Sequence, residues 1–347
     1  MIAAARVATF LEGVWEEAPE VLVVKVYNLY CEVHAFWLLA LAKIMSALTQ
    51  TPATRSTVGQ DIGGTVQKYH WTWQGQTFAV AYETRGEGAP VLLLPAFSTV
   101  STRAEMRGLA EKLATQYQVI ALDWLGFGQS DRPPLDYQPA IYHQLLHDFV
   151  RDTFSTPIAV IAAGHAAGYV MQLAQQPKVF SRIVLVAPTW RGPLTVMGAS
   201  KSVAGMVRGL VRSPLVGQAL YQANTTPAFL RLMYGRHVYV DKARLTPEFI
   251  AQKREITQQP GARFAPAAFV TGALDPVTNR ADFLQLFQVS LPVMVIIGQQ
   301  APPSSTAEME AIAAIPGIQT RKVPGTLGLH EEYATEVAEV VLPFLNS

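Results

Sequence analysis

The chain has a single cysteine, Cys31, in 347 residues. One cysteine closes no internal disulfide and builds no cysteine-based zinc site, so a reducing compartment is expected, with the cytoplasm as default. Charge is also sparse. Only 15% of residues are charged and the net charge is +1, with no basic block and no aromatic-basic stripe, which excludes the electrostatic footprint of a nucleic-acid binder. No metal or cofactor is implied. His143 and His147 have the i, i+4 spacing of two metal ligands, but Gln144 stands where H-E-x-x-H requires glutamate and no third ligand is in view, so both read as solvated histidines. Repeats and low-complexity tracts are missing as well.

A long uninterrupted apolar run is the remaining absence. Val21 to Leu48 is strongly apolar, but Lys25, Glu32, His34 and Lys43 interrupt it, and its longest clean stretch, Ala35 to Ala42, is too short to cross a bilayer. Glu16, Glu17 and Glu20 before it are unlike the basic start of a signal peptide. Residues 1–50 are therefore expected to form an apolar helical extension that packs on the body or on a second copy. The other reading is a peripheral membrane contact through residues 20–48, with Phe36 and Trp37 at headgroup level.

What is present is a 50% hydrophobic composition, enough to fill a sizeable core. Residues 51–64 read as a linker rich in Thr, Ser, Gly and Gln. The β-prone runs Tyr69 to Trp73 and Thr77 to Thr84 flank Gln74-Gly75-Gln76 and predict an opening hairpin. Short continuous apolar runs follow at Val91 to Leu94, Val119 to Leu122, Ile158 to Ala163, Ile183 to Ala187 and Val293 to Ile297. Runs buried on both faces and separated by helix-length segments predict an α/β fold with a mostly parallel sheet. The last gap is too long for one crossover. Helix-start signals at Thr226-Pro227 and Thr246-Pro247-Glu248 mark residues 189–290 as an inserted helical cap, leaving 65–188 and 291–347 as the core.

Two motifs carry chemistry. Asp123-Trp124-Leu125-Gly126-Phe127-Gly128-Gln129-Ser130 has the form D-x-x-G-x-G-x-S, and one strand later Gly164-His165-Ala166-Ala167-Gly168 has the form of a G-x-S-x-G nucleophile elbow with alanine in place of serine. Their order resembles the α/β-hydrolase superfamily, in particular the branch of haloalkane dehalogenases, epoxide hydrolases and small esterases with a helical cap. The resemblance covers the body from about Thr65 onward and not the extension. It implies an α/β-hydrolase fold and a nucleophile, acid and histidine in that chain order. Ala166 occupies the nucleophile position, Ala301 in Gly298-Gln299-Gln300-Ala301 the acid position, and His330 the base position. The family's oxyanion-loop His-Gly is replaced by Pro95-Ala96, leaving the backbone N–H groups of Phe97 and Ala167 as donors.

Other residues compete for roles. Asp275 in Gly272-Ala273-Leu274-Asp275 is either a displaced acid for His330 or a cap-to-core turn residue, and Glu331 or Glu332 would be alternative partners of that histidine. His165 reads as packing in the turn, Trp190 as a pocket wall or buried hinge residue with Arg191 beside it, and Ser98 as a loop residue near the oxyanion hole. Besides an ordinary hydrolase using an unidentified serine such as Ser98, two functions follow. The first is a non-hydrolytic binder of a small apolar molecule or protein partner between core and cap. The second is an enzyme that needs no nucleophile, of lyase or cofactor-free oxygenase type, with His330 as base and the Phe97 and Ala167 N–H groups as oxyanion hole.

Overall fold

The structure, a computed structural model, describes residues 61–347. The readings made of Cys31, Phe36, Trp37 and residues 20–48 lie outside the described residues. The hairpin forms as the sequence predicts: β1 (Thr65–Trp73) and β2 (Gln76–Arg85) pair antiparallel across Gln74 and Gly75. Both turn residues have positive φ, 48° and 80°, the backbone that matches strand twist in a two-residue hairpin. Asp61 to Gly64, read from sequence as the end of the linker, are already fastened to the body. The Ile62 N–H donates to Glu83 Oε2 at 2.9 Å, and the Ile62 side chain is fully buried.

The apolar runs become β3 (Ala89–Leu94), β4 (Tyr117–Leu122), β5 (Ile158–Ala163), β6 (Phe180–Val186) and β7 (Val293–Gly298). With β8 (Ile318–Val323) they complete an eight-stranded sheet of order β1-β2-β4-β3-β5-β6-β7-β8. The pairs β1–β2 and β2–β4 are antiparallel and the rest are parallel. The central strands are buried on both faces because helices cover them: α1 (Arg107–Leu113), α2 (Pro139–Thr153) and α3 (Ala166–Leu173) within the first half of the core. Edge strand β8 is half-exposed, which is why Ile-Gln-Thr-Arg-Lys-Val carries no apolar run.

Between β6 and β7 lies the expected helical insertion. Its helices are α4 (Pro193–Val196), α5 (Lys201–Arg212), α6 (Leu215–Ala223), α7 (Pro227–Met233), α8 (Pro247–Thr257), α9 (Phe264–Val270) and α10 (Arg280–Gln285). The two start signals act as capping chemistry requires. Thr226 and Thr246 sit at the N-caps, and their hydroxyls accept the N–H groups of Phe229 and Phe249. The core closes with α11 (Pro303–Ala313), α12 (Leu329–Glu332) and α13 (Ala334–Leu345).

The D-x-x-G-x-G-x-S turn is held by its aspartate. Asp123 is fully buried, pairs with the Arg103 guanidinium, and accepts the N–H groups of Arg103 at 2.6 Å and Gln129 at 2.8 Å. Arg103 reaches Glu83 Oε2 at 2.8 Å with its Nε. Burial opposes the charge on Arg103, but the carboxylates outweigh it and its pKa is raised. Gly128, at φ +51°, is required here because a Cβ would fall 2.1 Å from Asp123 Cγ.

Candidate functional site at the strand-to-helix turn

Strand β5 ends at Ala163 and α3 begins at Ala166, leaving Gly164 and His165 to make the turn. Only Gly164 adopts the left-handed backbone, at φ +53°, while His165 is right-handed helical at φ −70°. The strained apex is therefore Gly164, two residues before the position the sequence motif assigns, and Ala166 is the first residue of a regular helix. The apex faces the loop after β3, since a Cβ on Gly164 would lie 3.0 Å from Ala96 Cβ. The Ala167 N–H, one of the two expected oxyanion donors, donates instead to the Gly164 carbonyl at 3.3 Å. Gly168 has a separate reason for lacking a side chain: a Cβ there would strike Pro276 at 2.3 Å.

A carboxylate missed by sequence reasoning stands on the other side of the β3 loop. Glu105, in the 3₁₀ turn Arg103–Met106, accepts the Ala96 N–H on Oε1 at 2.5 Å. The same oxygen lies 3.5 Å from His330 Nε2. His330 is the second residue of the helical turn α12 after β8 and is 3% exposed. Neither of its ring nitrogens has a hydrogen-bond partner among the described residues. Burial raises the pKa of Glu105, and His330 partly offsets that rise. No motif marks Glu105, because it is 225 residues from His330 and belongs to no part of the triad pattern.

The other candidates take different partners. Ala301 closes the turn after β7, its N–H bonded to the Gly298 carbonyl at 3.1 Å, and supplies no carboxylate. Asp275 meets His165 rather than His330: Oδ1 is 3.6 Å from His165 Nε2 and accepts the Gly192 N–H at 2.7 Å. Burial raises the pKa of Asp275 to about 7, against the lowering effects of the Gly192 N–H and the Thr195 hydroxyl. Burial likewise lowers His165 to about 4, and its Nε2 is 2.8 Å from the Leu274 carbonyl. Glu331 pairs with Lys253 Nζ at 2.6 Å, and Glu332 accepts the N–H groups of Val240 and Asp241, so both fasten the cap to the core.

Phe97 fills the space above the turn. Its ring packs within 4.9 to 6.4 Å, centroid to centroid, of Trp124, Phe127, Tyr142, Tyr169 and Phe269, with His165 at 6.0 Å. Trp190 is buried and stacks on Phe283 at 5.8 Å, with the Arg191 guanidinium over its ring at 5.1 Å. Ser98 Oγ accepts the Val100 N–H at 3.2 Å, as a turn-forming loop residue does. His147 Nδ1 lies 3.3 Å from Asp148, and among the described residues no group of His, Cys, Asp and Glu could hold a metal ion. No helix among the described residues is long and apolar enough to cross a membrane.

Comparison with known proteins agrees with this topology. The chain is 31% identical over 140 residues to an uncharacterized protein of Mycobacterium tuberculosis, a match covering 39% of this chain and 40% of that one. It is 34% identical over 71 residues to a 2-hydroxy-6-oxo-6-(2'-aminophenyl)hexa-2,4-dienoic acid hydrolase of Metapseudomonas resinovorans, covering 20% of this chain and 24% of the relative. The chain thus matches well under half the length of these relatives. Among solved structures, a thermophilic esterase from Thermogutta terrifontis superposes with TM-score 0.63 at 20% identity, covering 81% of this chain and 98% of the esterase. A bromoperoxidase from Bacillus anthracis gives 0.62 at 18%, covering 81% and 100%. Likeness at that identity speaks for the fold. Residues 91–340 match the model of the alpha/beta hydrolase family, and the chain belongs to that family.

Proposed function

We propose that this protein keeps the hydrolase fold without acyl-enzyme chemistry and binds a small apolar molecule or a protein partner between core and cap. The apex of the turn carries the reading: whether the nucleophile position is assigned by motif, to Ala166, or by backbone, to Gly164, it bears no hydroxyl, thiol or carboxylate. Without a nucleophile, a triad enzyme retains only what its oxyanion hole and binding supply, about 10³ to 10⁴-fold over water.

A second reading rests on Glu105. A buried carboxylate 3.5 Å from His330 offers that histidine the orienting acid that Ala301 lacks. His330 would then move a proton on a bound substrate, with the N–H groups of Phe97 and His165 facing a developing oxyanion. His165 replaces Ala167 in this role because it follows the apex directly.

Pre-steady-state kinetics with p-nitrophenyl acetate test both. The unmodified protein is expected to give no burst of nitrophenol, and native mass spectrometry is expected to reveal a noncovalent small molecule or partner. A stoichiometric burst would mean a nucleophile elsewhere and would overturn the proposal. Burst-free turnover abolished by both His330→Ala and Glu105→Ala would favour the second reading over the first.

A further inference from the structure

Cap helix α5, Lys201–Arg212, has an apolar arc wider than its contact with the rest of the protein. Ala204 is buried, with Val207 and Val211 half-buried beside it, but Val203, Met206 and Leu210, on a neighbouring face at i, i+3 and i+7, are exposed. Met206 is 73% exposed. The apolar surface continues past both helix ends, through Met197 at 68% exposure and Leu215 at 86%. Side-chain positions added at Gly205 and Gly209 would meet nothing within 4 Å, so this side of the helix is open. A face of this kind is more than scattered surface hydrophobicity and marks an interaction site.

The charge of the surrounding chain argues for the occupant. Between Asp152 and Asp241 the chain contains no other Asp or Glu, and the cap part of that span carries Arg191, Lys201, Arg208, Arg212, Arg231 and Arg236. Arg208 and Arg212 border the arc on its buried side, where they share Asp136 at 3.9 and 3.5 Å, while Lys201 is exposed with no ion pair among the described residues. A second copy of the chain would bring a like-charged surface against this one, which opposes association. An anionic bilayer complements both features, since headgroups meet the cations while Met and Leu side chains enter the acyl boundary, as in-plane amphipathic helices do.

We infer that the α5 face of the cap, from Met197 to Leu215, is a docking surface for anionic lipid membranes. Flotation of the full chain with phosphatidylcholine vesicles, with and without about 30% phosphatidylserine, tests this. Binding is expected with phosphatidylserine, weaker without it, and falling as salt is raised. Met206→Asp with Leu210→Asp is expected to reduce binding at least about tenfold, since each side chain loses most of an apolar burial. Both positions are exposed, so the melting temperature should hold. Lys201→Glu should reduce the phosphatidylserine preference with smaller effect on binding to neutral vesicles. Failure of the full chain to float, or flotation of the double aspartate variant equal to the parent's, would overturn the proposal, the latter assigning binding to another segment. A concentration-dependent dimer abolished by the same variant, with no lipid binding, would assign the face to a second copy instead. None of these readouts depends on ester turnover, so they fail or succeed independently of the proposed function.

Discussion

Glu105 and His330 face each other across 3.5 Å, both buried, although 225 residues separate them in the chain. Glu105 also takes the Ala96 N–H, so one carboxylate joins the loop after β3 to the turn after β8. Burial raises its pKa, so folding favours its protonated form more than the unfolded chain does. That contribution is full below the unfolded value near 4.5 and is lost as pH rises through the folded value. Glu105→Gln keeps an acceptor for Ala96 without a charge, so its stability relative to the parent should improve as pH rises above the unfolded value in urea titrations. Glu105→Ala leaves the Ala96 N–H without its acceptor and should cost roughly 1–3 kcal/mol. A glutamine variant that loses ground with rising pH would mean an ionised carboxylate is the stabilising form.

Asp275 and His165 titrate in opposite senses. Folded Asp275 sits near 7 against an ordinary 3.8, and folded His165 near 4 against 6.5, burial being the chief cause of both. Between about pH 4 and 6.5 the folded aspartate holds a proton the unfolded chain has released, so its contribution falls as pH rises. The folded histidine lacks a proton the unfolded chain holds, so its contribution rises with pH. Each slope approaches about 1.4 kcal/mol per pH unit, and the two nearly cancel. Asp275→Asn removes the falling slope and still accepts from Gly192. Its stability relative to the parent's should climb from pH 4 to 6.5, as measured by chemical denaturation. Equal profiles for the two proteins would contradict the assignment.

The Arg103 network predicts a stability effect that leaves the turn's sequence motif intact. Arg103, Glu83 and Asp123 have no side-chain exposure, and removing the cation strands two carboxylates. Arg103→Met should cost about 3–5 kcal/mol in urea unfolding. Adding Glu83→Gln to that variant should recover part of the loss, because one uncompensated charge disappears with it. Strictly additive losses would indicate that the pair is not coupled.

The sequence by itself determined the layered α/β architecture, the opening hairpin and the helix starts between β6 and β7. Those depend on local chemistry: apolar runs for strands buried on both faces and Thr-Pro pairs for helix starts. Strand β8 escaped because an edge strand with one solvated face needs no apolar run. The rest is a matter of three-dimensional placement. Gly164-His165-Ala166-Ala167-Gly168 and Ala162-Ala163-Gly164-His165-Ala166 both fit a small-x-apex-x-small pattern, and only the sign of φ, set by where β5 ends and α3 begins, puts the apex at Gly164. Similarly, whether Asp275 serves His330 or His165, and whether any carboxylate serves His330, depends on which loops the sheet order brings together. Side-chain pairing across 110 or 225 residues leaves no spacing signal in a single chain, so tertiary packing alone decided that His165 meets Asp275 and His330 meets Glu105.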